Sequence, residues 1–120
     1  MTDKAKFQMT TYLKSIGFTT EYEFAKSVGR RFRADFCHIE HKIIIEYEGL
    51  VSHGARGGHQ TKKGYTDNCE KYNLAARLGY VVLRYTAINY QHDPKRKYNG
   101  FVADVDDMIK IKTNIQRSSK

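Results

Sequence analysis

Residues 31–49 read Arg-Phe-Arg-Ala-Asp-Phe-Cys-His-Ile-Glu-His-Lys-Ile-Ile-Ile-Glu-Tyr-Glu-Gly, and the fold turns on how this stretch is laid out. From Arg31 to His38, Phe32, Ala34 and Phe36 alternate with Arg33, Asp35 and Cys37, the period of a half-buried strand. Lys42 to Glu48 is rich in β-branched residues and reads as its hairpin partner. A tight turn at Glu40-His41 sets Asp35 opposite Glu46, although this dipeptide is not a favoured two-residue turn. A slip of one residue would send Asp35 to the other face. Glu46 and Glu48 are two apart and project from one face. With opposed Cβ atoms ~4.5–5.5 Å apart, three carboxylates are expected to converge. Acidic groups on an isoleucine-rich strand are costly unless something binds them. Oxygen-only ligation of that kind suits Mg²⁺ or Mn²⁺. The alternative is an edge strand whose solvated carboxylates pair with Arg33 and Lys42.

Working outward, Ala5, Met9, Tyr12, Leu13 and Ile16 recur at helical spacing. They predict a first helix over about 3–16, capped by Asp3 and ended by Gly17. Glu21 to Ala25 alternates weakly and predicts a short strand. Residues 49–64, with five glycines, two histidines and three basic residues, read as a long loop. Asp67 with Glu70 resembles a capping box and predicts a second helix from there. Cys69, Tyr72, Ala76 and Leu78 would form its apolar face and Gly79 its end. Tyr80 to Tyr85 reads as a buried strand, and 101–113 as a last helix using Val102, Val105, Met108 and Ile109. Residues 114–120 read as a frayed basic tail. The class is α/β: an αβββαβ core with a mixed sheet flanked by helices, plus a C-terminal helix.

With 120 residues, 40% of them apolar, the chain holds one core and reads as a single domain over 1–120. No apolar run approaches the ~20 residues of a spanning helix, and no apolar stretch follows the N-terminal charges as in a signal peptide. Cys37 and Cys69 match no disulfide or zinc spacing and are expected to be buried free thiols. The net charge of +8 is lopsided: residues 1–60 hold nine basic and seven acidic groups, residues 61–120 twelve and six. Such an excess favours a polyanion as partner.

The run Arg31-Phe-Arg-Ala-Asp35-Phe followed by Ile43-Ile-Ile-Glu46-Tyr-Glu48-Gly49 resembles the core of the PD-(D/E)XK nuclease superfamily. Within it, the likeness is to the small branch of very-short-patch-repair-like and phage-type predicted endonucleases. Gly57-Gly58-His59, Lys63-Gly64-Tyr65, Asp67 to Asn73 and Gly79 to Arg84 follow in the order that branch shows. The resemblance covers about residues 21–86. It implies a restriction-endonuclease-like fold and a Mg²⁺-dependent (or Mn²⁺-dependent) DNA endonuclease. It also implies the cytoplasm of a bacterial cell or phage-infected host as location. Asp35, Glu46 and the Tyr47 backbone carbonyl would be the metal ligands. Glu48 stands where most of the superfamily has lysine, and would act as proton acceptor or second-ion ligand. Lys71 would then supply the missing positive charge, unless it merely pairs with Asp67 one turn away. His59 would contact phosphate or protonate the leaving group. Arg31, Arg33, Arg56, Lys62 and Lys63 bracket the site and would position DNA phosphates.

Three other readings compete. One is a structure-specific resolvase for Holliday junctions or branched DNA on the same fold, which would need a homodimer to place two sites. The others are a catalytically silent DNA-binding module and a basic RNA-binding protein. Carboxylates repel phosphate, so a pure binder has no use for the acidic trio without a metal.

Overall fold

A computed structural model describes residues 3–49 and 62–118. Helix α1 (Lys4–Ser15) leads into β1 (Thr19–Tyr22), a single 3₁₀ turn (Lys26–Val28), β2 (Ala34–His38) and β3 (Ile43–Tyr47). Helix α2 (Lys62–Arg77), β4 (Val81–Tyr85) and α3 (Phe101–Ser118) complete the described residues. The four strands form one mixed sheet in the order β1-β2-β3-β4, antiparallel except for the parallel β3–β4 pair. This is the expected α/β class, with the expected order of helices and strands. Among the described residues, no helix is long and apolar enough to cross a membrane.

The helices end where left-handed residues end them. At the close of α1, Gly17 (φ 101°) lets the Phe18 N–H reach the Leu13 carbonyl at 3.0 Å. Gly79 (φ 91°) does the same for α2, with Tyr80 N–H on the Ala75 carbonyl at 2.9 Å. The Asp3 carboxylate caps α1 by accepting from the N–H groups of Ala5 and Lys6. Helix α2 starts five residues before the expected Asp67, which lies inside the helix, where its carboxylate pairs with Lys63 one turn earlier. Its buried anchor is Ala75, while Cys69 is exposed, against the expectation for both its face and its thiol; Cys37 is buried. Helix α3 runs on through Ser118, past the expected end at 113.

The sheet separates two apolar layers. Met9 and Leu13 of α1, Phe101 and Val105 of α3, and Phe36, Ile43, Ile45 and Tyr85 of the strands form the larger one. Cys37, Ile44, Phe24 and Ala75 of α2 form the smaller one on the other face. Odd positions of β3 therefore serve the first layer, and Ile44 and Glu46 turn toward α2. In the larger layer, Tyr85 and Tyr98 both donate to Asp104 Oδ2, tying β4 to α3. Gly100 enters α3 at φ 91° against the backbone of Gln91 and His92, where an added Cβ would come within 2.7 Å.

The hairpin keeps the expected register through a different turn. Phe36 pairs with Ile45, Cys37 with Ile44 and His38 with Ile43. The connection is the four-residue stretch 39–42 instead of a two-residue turn at Glu40-His41. The left-handed conformation falls on Lys42 (φ 56°), whose ammonium caps the Leu78 carbonyl at 3.0 Å. Adding one residue on each side of a turn preserves pairing, so Asp35 still faces Glu46. The His41 N–H donates to His38 Nδ1 at 3.2 Å and the two rings stack with centroids 4.7 Å apart. The 21–25 strand shifts to Thr19–Tyr22, because Phe24 and Ala25 leave the sheet to enter the smaller layer.

Burial and the neighbouring His41 lower the pKa of His38 below the ordinary 6.5, against a smaller opposing pull from Glu40. A histidine with a depressed native pKa gives stability that is present above about pH 6.5. That stability is lost as pH falls through the lowered native value. Urea midpoints of the wild type should therefore drop from pH 7.5 to 5 more steeply than those of His38→Gln; equal slopes would refute this.

Candidate active site

Glu46 is the one buried charged residue among those described, with 5% of its surface exposed. Its position follows from the sheet: β3 has β2 on one side and β4 on the other, and α2 covers the face to which Glu46 points. Asp35 and Glu46 exchange contacts across the hairpin. The Asp35 N–H donates to Glu46 Oε2 at 2.8 Å, and the Tyr47 N–H donates to Asp35 Oδ2 at 2.8 Å. Each carboxylate thus holds the partner strand's backbone where ladder hydrogen bonds would otherwise run.

Lys71 reaches across from α2 and places Nζ 2.5 Å from Glu46 Oε1, with only 14% of its side chain exposed. It does not pair with Asp67, which Lys63 takes at 2.8 Å. The Tyr72 hydroxyl lies 3.4 Å from the same Glu46 oxygen. Burial raises the Glu46 pKa above the usual carboxylate range, and the nearby Asp35 charge adds to that. The hydrogen bond and charge of Lys71, with the Asp35 N–H, pull it back. The Tyr72 phenol is pushed up, first by burial and then by Glu46 and Glu48. Tyr47 sends its side chain the other way, donating to Asp3 Oδ1 at 3.0 Å.

The three expected carboxylates do not converge. Glu48 shares the Glu46 face but is taken by Arg84 of β4, whose Nε lies 2.8 Å from Glu48 Oε2. The Arg84 guanidinium also sits 4.4 Å from the centre of the Tyr72 ring. Among the described residues, no three His, Cys, Asp or Glu side chains form a group able to hold a metal ion. Two carboxylates remain side by side, beside the Tyr47 main chain. Both Glu46 oxygens are already engaged, Oε2 by the Asp35 N–H and Oε1 by Lys71, so a divalent ion, which usually takes one or two carboxylates, would have to share or displace those partners. No donor reaches Asp35 Oδ1 among the described residues.

The basic residues are divided. Arg31 and Arg33 are exposed immediately before β2, and Lys62 is exposed at the start of α2. Arg30, one residue earlier, stacks on Phe32 and pairs with Glu70 at 3.0 Å. Arg56 and His59 lie outside the described residues. Sequence reasoning missed Arg84 and Tyr72 as site residues. The signal was present: Arg84 interrupts an apolar strand, and Tyr72 directly follows Lys71. No protein-family model matches the chain, and no curated protein or solved structure matches it.

Removing one partner of a buried ion pair leaves the other charge uncompensated, at a cost of about 3–5 kcal/mol. Lys71→Met should therefore destabilise the chain by about 3 kcal/mol at neutral pH in urea unfolding, and by less in acid, where Glu46 takes up a proton. Lys71→Met combined with Glu46→Gln should recover most of that loss; additive losses would contradict the pairing.

Proposed function

We propose that the chain is a metal-dependent DNA endonuclease with a PD-(D/E)XK-like site, hydrolysing phosphodiester bonds. One observation carries this reading: α2 delivers the Lys71 ammonium onto the Glu46 carboxylate beside Asp35, in a chain of net charge +8. The sequence resemblance asks for a lysine next to the paired carboxylates, and residue 48 does not provide one. Lys71 meets that need from another element.

Asp35, Glu46 and the Tyr47 backbone carbonyl would hold the ion. When bound, Mg²⁺ polarises a phosphoryl oxygen and lowers the pKa of a nearby water. The chain's own residues do the rest. Lys71 places a fixed positive charge where the transition state gains negative charge, the condition under which electrostatic preorganisation is strongest. Glu48 lies one pleat further along the same face and acts as proton acceptor, with its orientation set by Arg84. Arg31, Arg33, Lys62 and Lys63 position phosphates without reading sequence. The Asp35–Glu46 exchange holds the two carboxylates side by side before substrate arrives.

Purified protein assayed with Mg²⁺ against linear, nicked, mismatched and four-way DNA should cleave at least one form and stop on chelation. Cleavage undiminished by EDTA would overturn the reading. Asp35→Ala and Glu46→Ala should each abolish cleavage while DNA binding survives or tightens, because a negative charge facing phosphate has gone; wild-type turnover in either would misplace the site.

Phosphate contacts also make a salt-dependence prediction. Replacing Lys62 and Lys63 together with Ala should weaken binding about equally for every sequence. It should also flatten the slope of log K against log salt by ~0.9 per lost contact on duplex DNA. An unchanged slope would mean that neither lysine touches the backbone.

A further inference from the structure

Four residues of α2 lie at helical spacing on one stripe, Tyr65, Asn68, Cys69 and Tyr72, and face Arg84 of β4 across a cleft of about 250 Å³. We propose that this cleft is a nucleobase subsite, and that the substrate therefore presents an unpaired nucleotide beside the scissile phosphate. The inference rests on the nucleic-acid hydrolysis reading above and adds the form of the substrate.

Two features support the assignment. First, the cleft adjoins the carboxylates through its own walls. The Tyr72 hydroxyl lies 3.4 Å from Glu46 Oε1, and Arg84 bonds Glu48. A phosphate at Glu46 thus has its neighbouring base within reach of the cleft. Second, the lining has the chemistry that single-stranded binding uses: an aromatic face for stacking, a guanidinium, and a side-chain amide able to meet a base edge. The Tyr72 ring already carries Arg84 at 4.4 Å, which leaves Tyr65 as the open platform, 64% exposed. Tyr65 and Asn68 are both exposed and line the cleft. The volume falls below the ~300–1,000 Å³ of sites for drug-sized ligands, so the cleft suits a single flat ring. A base inside a duplex cannot enter; it must be extruded or already single-stranded.

A 2-aminopurine walk along a short single-stranded DNA tests this, with binding measured in EDTA so that no strand is hydrolysed. One position should change emission on binding to the wild type and to Tyr65→Phe. Tyr65→Ala should lose that response and bind roughly tenfold more weakly, the loss expected for one stacked base. Asn68→Ala should shift which base is preferred at that position. The same strand in a perfect duplex should give no such response. Tyr65 is exposed, so Tyr65→Ala should keep the wild-type urea midpoint, and Tyr65→Leu serves as a second ring-less variant of larger bulk. No responding position, or a response and affinity unchanged in both ring-less variants, would overturn the subsite. Cleavage is followed separately in Mg²⁺. Cleavage without a Tyr65-dependent response removes the subsite and leaves the hydrolase, whereas a Tyr65-dependent response without cleavage supports the subsite and removes the hydrolase.

Discussion

A carboxylate buried to 5% exposure needs compensation from its surroundings, and Glu46 receives it from three residues on two elements. The Asp35 N–H of β2 satisfies one oxygen; Lys71 and Tyr72 of α2 meet the other. Desolvating a carboxylate without these partners would cost several kcal/mol, a sizeable part of the ~5–15 kcal/mol that holds a domain of this size together. The hairpin register, the docking of α2 and the state of the site are therefore one problem with one solution. A helix shifted by a residue would move Lys71 away from Glu46 and leave both charges stranded.

This arrangement also explains the character of α2. Only Ala75 of its residues is buried, and a helix so polar gains little from apolar packing. Lys71 onto Glu46, Tyr72 beneath Arg84 and the Gly79 terminus on Ala75 and Ala76 supply the specific contacts instead. On the opposite face the larger apolar layer rests mainly on packing, with α1 and α3 bringing Met9, Leu13, Phe101 and Val105 to Phe36, Ile43 and Ile45, beside the hydrogen bonds of Tyr85 and Tyr98 to Asp104. The sheet is thus anchored by hydrophobic burial on one side and by a charged network on the other. The network side is where chemistry on a polyanion is proposed.

Much of the fold is legible in the sequence. Alternation in 31–38, the isoleucine run of 43–45 and the glycines at 17 and 79 state strand, strand and helix ends through local physics. Left-handed C-termini and period-two burial are properties of a few consecutive residues. The beginning of α2 is not legible from Asp67 and Glu70, because the same acidic residues serve equally as a cap or as i,i+4 partners inside a helix, and Asp67 here pairs with Lys63. Cys69 was read as core from its apolar character, yet it lies on the stripe of α2 that faces the open cleft.

For the site, the apolar alternation on both strands by itself favoured Asp35 and Glu46 lying opposite one another, and the connection over 39–42 fixed that register. Only the tertiary structure decided what each acidic group meets. Glu48 shares a face with Glu46 by pleat geometry alone, but its partner Arg84 comes from a parallel strand that arrives after a helix. Lys71 stands four residues from Asp67 and 25 from Glu46, and nothing local distinguishes the two partners. The choice falls to burial: the Glu46 carboxylate is far less exposed than that of Asp67, so the ammonium is held where its charge is less screened.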